Sequence, residues 1–384
     1  MIILLKKLII SIFIYFVSFP LLAFNSSSFL ISKSAFENFD YNSTLYNFDI
    51  NEIKFHDDNL VDKIIAAVIT EDFSLANKIA SEILLKNSKN NEENQEAFIV
   101  KLSYLISKNK YEEVQKNYKN SINNNELINF IFFNENKINN NTTISKSLID
   151  IVISSYSNVE KNTLNYNFLL FYISLSKLLD PNNDRASIIK GELFHDLKKD
   201  KIAREIFEAI KVESPFYIEA QKSLAYNYAS SLPFDEAEKK IKKIIKNNKD
   251  NYFIKKILGD FYRYEKKYEA AISIYKDLII KQNDDLWSIY YMLGICYERL
   301  NNWEEAEKHF LTSLDIKSDS PNVLNYLAYG WVERDIQLDR SLKMLKDAYK
   351  ANPDSFYIID SLAWAHFKKN NLVEAAKLME LVID

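Results

Sequence analysis

The sequence predicts an all-α protein in which helical hairpins stack into a solenoid with a right-handed superhelical twist. The chain has 384 residues, of which only 4 are Gly and 6 are Pro, and β architectures need more turn residues than that. Hydrophobic residues make up 47% and charged residues 27%, the balance of a folded chain. From residue 184 onward, a small residue recurs every 34 or 35 positions inside apolar periodic segments. A fixed period of this length indicates one helix pair per repeat.

The N-terminus predicts a signal peptide over residues 1–23. Lys6 and Lys7 precede an apolar run that ends at Ala23, which gives a charged region, an apolar region and a small residue for cleavage. The run over residues 8–23 is shorter than the ~20 apolar residues that a spanning helix needs. We therefore expect an exported, periplasmic protein, with an uncleaved signal segment as the alternative and the only route to membrane contact.

Two segments without a strict repeat follow. Residues 24–57 show no clear periodicity, which predicts a poorly ordered N-terminal arm. Residues 58–183 carry amphipathic patterns in pairs, such as NLVDKIIAAVIT with FSLANKIASEILLKN, but the lengths between them vary. We interpret this stretch as degenerate helical repeats.

The register becomes regular at Asp184. One small residue lies in the middle of each first helix, and a second lies in each following helix. The first set is Gly191, Ala225, Gly259, Gly294, Ala328 and Ala363, and the second set is Ala203, Ala237, Ala271, Ala306, Ser341 and Ala375. Four residues after the second set come Phe207, Ile241, Tyr275, Phe310, Leu345 and Met379.

This spacing has a physical reason. Two antiparallel helices approach closely only where both lack bulk, so we expect Gly or Ala of the first helix to face Ala of the second. Six units with this pattern predict tetratricopeptide-type repeats. Their predicted bounds are 184–217, 218–251, 252–286, 287–320, 321–355 and 356–384.

The sequence contains no constellation that would support catalysis or a cofactor. The four histidines are far apart and form no metal-ligand spacing, and glycine lies almost entirely at helix-packing positions. Cys296, the single cysteine, cannot form an internal disulfide and falls at a buried helical position, where thiols are usually inert. A formal charge of −4 disfavours a nucleic-acid partner. We expect a protein without catalytic residues, metal or cofactor.

The inner wall of such a solenoid is made by the first helices, and it is the candidate site for a protein or peptide partner. Positions three before and one after each small residue lie on that wall, and they combine aromatic with charged side chains. The candidate groove residues are Lys222, Tyr226, Lys256, Asp260, Tyr291, Asn325, Tyr329, Asp360 and Trp364. The alternative for each aromatic residue is packing between adjacent repeats.

One region resembles a known family. Residues 323–367, VLNYLAYGWVERDIQLDRSLKMLKDAYKANPDSFYIIDSLAWAHF, are similar to exported bacterial tetratricopeptide-repeat proteins, and so are residues 214–229, SPFYIEAQKSLAYNYA. Some members are envelope lipoproteins that act as adaptors for carboxyl-terminal processing proteases and present cell-wall hydrolases to them. The resemblance implies an envelope adaptor with such a protease or hydrolase as partner. It does not imply a lipid anchor, because Phe24 stands where the lipoprotein motif needs cysteine.

Three functional hypotheses follow. The first is a non-catalytic scaffold or adaptor of the cell envelope that holds a protein partner in the groove. The second is a structural subunit of an outer-membrane assembly. The third is an α-superhelical cell-wall enzyme, which would need a catalytic Glu in a compact C-terminal domain, whereas here the repeat pattern continues to the last residues.

The final hairpin predicts a second contact surface. Its last segment, LMELVID, is apolar and carries no polar capping helix after it, although solenoids normally cover such a face. We therefore expect Leu378, Leu381 and Val382 to form an exposed or partner-covered edge.

Overall fold

A computed structural model describes residues 31–46, 60–86, 95–122, 126–134, 137–158, 164–248, 251–280 and 285–383. The chain divides into two compact units, one up to residue 220 and one from residue 221. The predicted signal segment, residues 1–23, lies outside the described residues. In the described part of the chain, no helix combines the length and the apolar character that crossing a membrane requires.

The described residues of the first unit form helices and turns apart from one short antiparallel ladder, in which Phe133 pairs with Ile138 and Asn134 with Lys137. Its helices and strands are α1 Tyr41–Leu45, α2 Leu60–Ile69, α3 Phe73–Lys86, α4 Gln95–Ser107, α5 Tyr111–Ile122, α6 Glu126–Phe132, β1 Phe133–Asn134, β2 Lys137–Ile138, α7 Asn141–Asn158, α8 Tyr166–Leu179, α9 Asp184–Asp196 and α10 Asp200–Glu208.

Helix α8 is the centre of the first unit. It packs against α7 and α9, its neighbours in sequence, and also against α2 and α4, which are about 70 to 100 residues earlier. Its residues 169–176 are buried on every side, as expected of a helix that is apolar all round. The stretch predicted as degenerate repeats is therefore more than a linear stack, because helices distant in sequence close around α8.

Residues 31–46 differ from the poorly ordered arm that the sequence predicted for 24–57. Residues 31–37 and α1 are helical, and Phe36, Tyr41 and Thr44 are buried. The Tyr41 hydroxyl donates a hydrogen bond of 2.8 Å to Asn167 Oδ1 at the start of α8. The arm lacks sequence periodicity because two short helices bury single aromatic residues instead of a continuous stripe. The prediction was wrong for these residues.

The second unit continues with hairpins of two antiparallel helices. The boundary between the units falls within α11. The helices are α11 Tyr217–Ser231, α12 Phe234–Asn247, α13 Tyr252–Tyr264, α14 Tyr268–Ile280, α15 Leu286–Arg299, α16 Trp303–Ile316, α17 Pro321–Glu333, α18 Leu338–Ala351, α19 Phe356–Lys368 and α20 Leu372–Ile383. The predicted all-α architecture of helical hairpins is confirmed.

The small residues of the first helices face the second helices, but not in the way the sequence suggested. A Cβ built at Gly259 would lie 2.8 Å from the Tyr275 ring, and a Cβ at Gly294 would overlap the Phe310 ring. The glycine therefore makes room for an aromatic ring four residues beyond the predicted alanine. Repeats with Gly in the first helix carry an aromatic residue at that place (Phe207, Tyr275, Phe310), and repeats with Ala carry an aliphatic one (Ile241, Leu345, Met379).

The turns inside the hairpins share a backbone conformation. Seven residues after the small residue, five of the six hairpins place one residue at φ of 55° to 62°, in the left-handed region that closes the first helix. These residues are Lys198, Lys266, Asn301, Asp335 and Asn370. After Lys266, the amide of Lys267 donates to the carbonyl of Tyr262 at 2.8 Å, which satisfies an end group of the helix.

Candidate partner-binding face

The first helices of the second unit present one common face, which we call the first-helix face. It comprises the side chains of α11 from Gln221 onward and of α13, α15, α17 and α19 that recur at the same places around the small residue. Large aromatic side chains on it are exposed: Tyr226 by 62%, Phe253 by 49%, Tyr264 by 78%, Tyr329 by 39%, Tyr357 by 81% and Phe367 by 51%. An exposed apolar row of this kind marks an interaction surface more often than chance.

The N-terminal part of the face contains lysines that are already engaged. The Lys222 ammonium lies 4.7 Å from the centre of the Phe253 ring. Lys256 forms an ion pair of 3.3 Å with Asp260, which also accepts a 2.7 Å hydrogen bond from the Tyr275 hydroxyl. Three predicted groove residues, Lys222, Lys256 and Asp260, thus lie on the face but bind groups of the chain itself.

Two predicted groove residues point into the packing. Tyr291 is half-buried and lies 5.5 Å, centre to centre, from the Tyr326 ring, which joins α15 to α17. Asn325 is only 8% exposed, and its Oδ1 accepts no hydrogen bond from any described residue. An acceptor buried without a partner costs free energy, so the Asn325 amide is locally destabilising.

The C-terminal part of the face is acidic around one phenol. Burial raises the pKa of Tyr329, and the charges of Glu333, Asp360 and Glu298 raise it further. Each of these carboxylates comes from a different first helix, α17, α19 and α15 in that order. We call Glu298, Tyr329, Glu333 and Asp360 the Tyr329 site.

Trp364 links α19, the first helix of the last hairpin, to this site. Its indole Nε1 donates a hydrogen bond of 2.6 Å to Glu333 Oε1, across 31 residues of sequence. One side of the indole is stacked on Phe367 at 5.2 Å, and the Lys368 ammonium lies 5.4 Å from its centre. The indole is therefore a structural wall of the site, whereas the Tyr329 ring carries no other ring or cation from the described residues.

Sequence reasoning missed several residues of this face. Counting three positions before and one after the small residue leaves out the outer turns of each helix, which hold Phe253, Tyr264, Glu298, Glu333, Tyr357 and Phe367. Counting one further helical turn in each direction would have found them, because positions three and four apart share a face.

Only part of the predicted contact edge lies within the described residues. Leu381 is 55% exposed, whereas Leu378 is half-buried and packs against the core of the last repeats. The side chain of Val382 lies outside the described residues. Leu372 and Val373, at the start of α20, are also more than half exposed.

Two side chains of a reactive type, Cys296 and His309, are buried in the second unit. No group of three or more His, Cys, Asp or Glu side chains among the described residues is placed to hold a metal ion. Cys296 is fully buried, and burial raises the pKa of its thiol to about 12, so it stays protonated at neutral pH. His309 is stacked between two tyrosine rings, and neither ring nitrogen has a hydrogen-bond partner in the described chain.

Comparison with known families agrees with this geometry. The family model "Tetratricopeptide repeat" matches residues 287–320, which contain α15 and α16. Residues 287–320 form a tetratricopeptide repeat. The neighbouring hairpins of the second unit repeat its register. Tetratricopeptide repeats in general mediate protein–protein interactions.

Curated relatives match short segments. The "TPR repeat-containing protein PA4667" of Pseudomonas aeruginosa is 24% identical over 100 residues, 26% of this chain and 17% of that protein. The human "Protein O-mannosyl-transferase TMTC2" is 37% identical over 75 residues, 19% of this chain and 9% of that protein. The chain thus spans less than a fifth of either relative.

Solved structures resemble parts of the chain at low sequence identity. Pseudomonas aeruginosa pilF has 15% identity and a TM-score of 0.45, with coverage of 53% of this chain and 91% of that one. MamA has 16% identity and a TM-score of 0.36, with coverage of 43% and 91%.

Proposed function

We propose that this protein is a non-catalytic scaffold of the bacterial cell envelope, whose first-helix face holds a segment of a partner protein. The observation that supports this most is the row of exposed aromatic side chains on that face. Tyr226, Tyr264 and Tyr357 are each more than 60% exposed. Tyrosine supplies a large contact area and a polar tip at low conformational cost, and it is enriched at interfaces.

The spacing of the aromatics supports an elongated partner segment. They come from α11, α13, α17 and α19, so a ligand that touches all of them has to run across the stacked helices. A tetratricopeptide repeat is a suitable scaffold, because stacked repeats present an extended surface on rigid elements. The partner is a protein or peptide, and its binding needs no cofactor.

The envelope location is part of the proposal. It is supported by the charged and apolar residues over 1–23, which have the composition of a signal peptide. The resemblance to envelope adaptors adds a periplasmic protease or a cell-wall hydrolase as the class of partner. N-terminal sequencing of protein recovered from the periplasm tests export, and we expect the mature chain to begin at Phe24.

Site-specific photocrosslinking tests the binding face. Benzoylphenylalanine replaces Tyr357 on the face in one variant, and Ile280 on second helix α14 in the control; both positions are about 80% exposed. We expect a discrete crosslinked partner from the Tyr357 position, and we expect it to disappear when Tyr226→Ser and Phe253→Ser are added. Equal crosslinking from both positions would argue against this face.

A further inference from the structure

The outward side of helix α12 carries three lysines that the proposed function does not use. Lys239, Lys243 and Lys246 are exposed, and we call them the lysine row. They lie four and three residues apart, so they share one face of the helix over a length of about 10 Å. The opposite face of α12 is apolar and buried in the core. The lysine row is therefore the solvent side of a helix whose apolar side is already used.

The lysine row is not neutralised by the chain itself. The other two lysines of α12 are paired, because Lys242 lies 2.9 Å from Glu238 and Lys240 lies 3.9 Å from Glu236. The three ammonium groups of the lysine row form no ion pair or hydrogen bond with any residue that the structure describes. Over residues 239–249, the sequence contains six lysines and no carboxylate. This side of the helix therefore keeps its positive charge.

The other hairpins show that the repeat register does not require such a row. The three lysines lie two, six and nine residues after Ala237, the small residue of this second helix. Each of the other five hairpins has an acidic residue at one of these three positions. These residues are Glu205, Asp277, Asp315, Asp347 and Asp384. The uninterrupted positive charge is thus particular to α12, and packing between helices does not explain it.

The chemistry of the lysine row fits a flat anionic surface better than a folded protein partner. Protein interfaces are anchored by aromatic, apolar or arginine side chains that become buried. None of the large apolar side chains that are exposed in the described chain lies on α12. Each ammonium is a compact point charge on a flexible stem, so it binds phosphate without a fixed geometry. Lysine clusters on one side of a helix attract anionic lipid headgroups in this way.

We propose that the lysine row of α12 holds the protein at an anionic phospholipid surface. This contact goes beyond the proposed function, and it differs from the uncleaved signal segment that the sequence suggested as the route to a membrane. Binding is electrostatic and peripheral, because the apolar side chains of α12 stay in the core. The lysine row lies on a second helix, so membrane contact and partner binding use different side chains.

Co-sedimentation with lipid vesicles tests the proposal. Protein recovered from the periplasm is mixed with vesicles of phosphatidylcholine alone or of phosphatidylcholine with about 30% phosphatidylglycerol, an anionic lipid. We expect partitioning onto the anionic vesicles to be at least about tenfold stronger than onto the neutral ones. We expect it to be lost in about 0.5 M salt, because the Debye length is then only a few ångströms.

Variants of the lysine row separate its charge from its shape. In Lys239→Gln/Lys243→Gln/Lys246→Gln, we expect partitioning onto the anionic vesicles to fall by at least about tenfold, because three charges near the surface are lost. In Lys239→Arg/Lys243→Arg/Lys246→Arg, the charge is kept, and we expect partitioning within about twofold of wild type.

The matched control removes the same charge elsewhere. Lys308→Gln/Lys343→Gln/Lys377→Gln changes exposed lysines that lie two residues after the small residue in three other second helices. We expect partitioning within about twofold of wild type, since these charges are dispersed over separate helices. All substituted lysines are exposed, and far-UV circular dichroism with thermal melting confirms that every variant is folded.

Three results would overturn the proposal. They are equal binding to neutral and anionic vesicles, equal losses in the glutamine variant of the lysine row and in its control, and no binding to anionic vesicles. In the last case, binding of soluble poly-glutamate would assign the lysine row to an acidic protein instead. The photocrosslink at Tyr357 tests the first-helix face separately, so the two proposals can fail independently.

Discussion

Gly294 and Phe310 show how a single pair of residues sets the distance between two helices. The Phe310 ring is fully buried and occupies the space that a Cβ at residue 294 would need. Because the ring cannot move into solvent, the helices are as close as this pair permits. The same relation holds for Gly191 with Phe207 and for Gly259 with Tyr275.

This pairing predicts strong coupling between the two positions. We expect Gly294→Ala to destabilise the protein by about 2 kcal/mol despite the better helix propensity of Ala, because the added methyl overpacks the core. Adding Phe310→Leu, which copies the Ala328 and Leu345 pair, is expected to restore most of that loss. A double-mutant cycle from urea denaturation measures the coupling; additive effects would contradict the pairing.

His309 predicts an acid sensitivity. Burial lowers its pKa, although the charge of Glu305 opposes this. Because the folded pKa lies below the ordinary value of 6.5, the unfolded chain takes up the proton first as pH falls. Stability is therefore complete above about pH 6.5 and declines as pH falls below it toward the lowered pKa.

The variant His309→Phe tests this directly. Phenylalanine keeps the stacking on Tyr290 and Tyr297 but cannot titrate, so the loss of melting temperature between pH 7.5 and pH 5 is expected to be smaller than in wild type. Some pH dependence remains, because burial also lowers the pKa of His366. An unchanged pH profile in His309→Phe would show that this histidine is not responsible.

At the residue scale, the sequence predicted where the helices cross but not which side chains meet there. The spacing of Gly191, Gly259 and Gly294 located the helix crossings, but the expected contact of Gly with Ala was not the one found. The choice between Gly and Ala depends on the volume of a residue sixteen or seventeen positions later, and that relation can be recognised only when the contact is known.

At the scale of elements, the left-handed turn positions of the hairpins are occupied by residues other than glycine. All four glycines lie inside helices, at residues 191, 259, 294 and 330. The left-handed turn positions, where glycine is usually preferred, hold lysine, asparagine or aspartate instead. The glycines of this chain allow close packing between helices, whereas the strained backbone conformations lie in the turns.

This distribution predicts that the turns can be improved. Lys266 is exposed and has φ of 59°, a conformation that costs a residue with a side chain about 1 kcal/mol or more. We expect Lys266→Gly to raise the free energy of unfolding by roughly 0.5–1 kcal/mol. Asn301→Gly is the control with a smaller expected gain, because asparagine tolerates this conformation well. Equilibrium urea denaturation compares the two.

The helices themselves were largely predictable, because each has an apolar stripe with helical period and the turns separate them cleanly. The short helices before residue 46 were not, since α1 is only five residues long and lacks a periodic pattern. Their stability comes from contacts with α2 and α8, such as the Tyr41 to Asn167 hydrogen bond.

At the scale of the whole molecule, the two units follow different principles. Most contacts of the second unit join helices that are adjacent in sequence. A repeat register in the sequence predicts contacts of this kind. The first unit joins distant segments: Lys190 on α9 forms a 2.7 Å ion pair with Glu71, 119 residues earlier. No periodicity in the sequence predicts a contact between residues so far apart in the chain.

The exposed apolar surface of α20 gives a prediction for the protein as a whole. Leu372, Val373 and Leu381 are each more than half exposed, and surfaces of this kind promote association. We expect concentration-dependent self-association in analytical ultracentrifugation, reduced by Leu372→Ser/Val373→Ser/Leu381→Ser. The control Ile280→Ser/Ile316→Ser/Ile336→Ser alters exposed apolar residues on scattered turns and helices, and an equal effect of both variants would contradict a role for α20.

The pairing of Gly with an aromatic residue and of Ala with an aliphatic residue has a consequence for how such a chain can change. Both partners lie within one hairpin, sixteen or seventeen residues apart, so a hairpin exchanged as a complete cassette brings its own matched interior. A crossover between the two helices of a hairpin would instead join a Gly half to an aliphatic half, or an Ala half to an aromatic one. Libraries of recombined repeats should therefore place their junctions between hairpins, where the interior fit of each cassette is preserved.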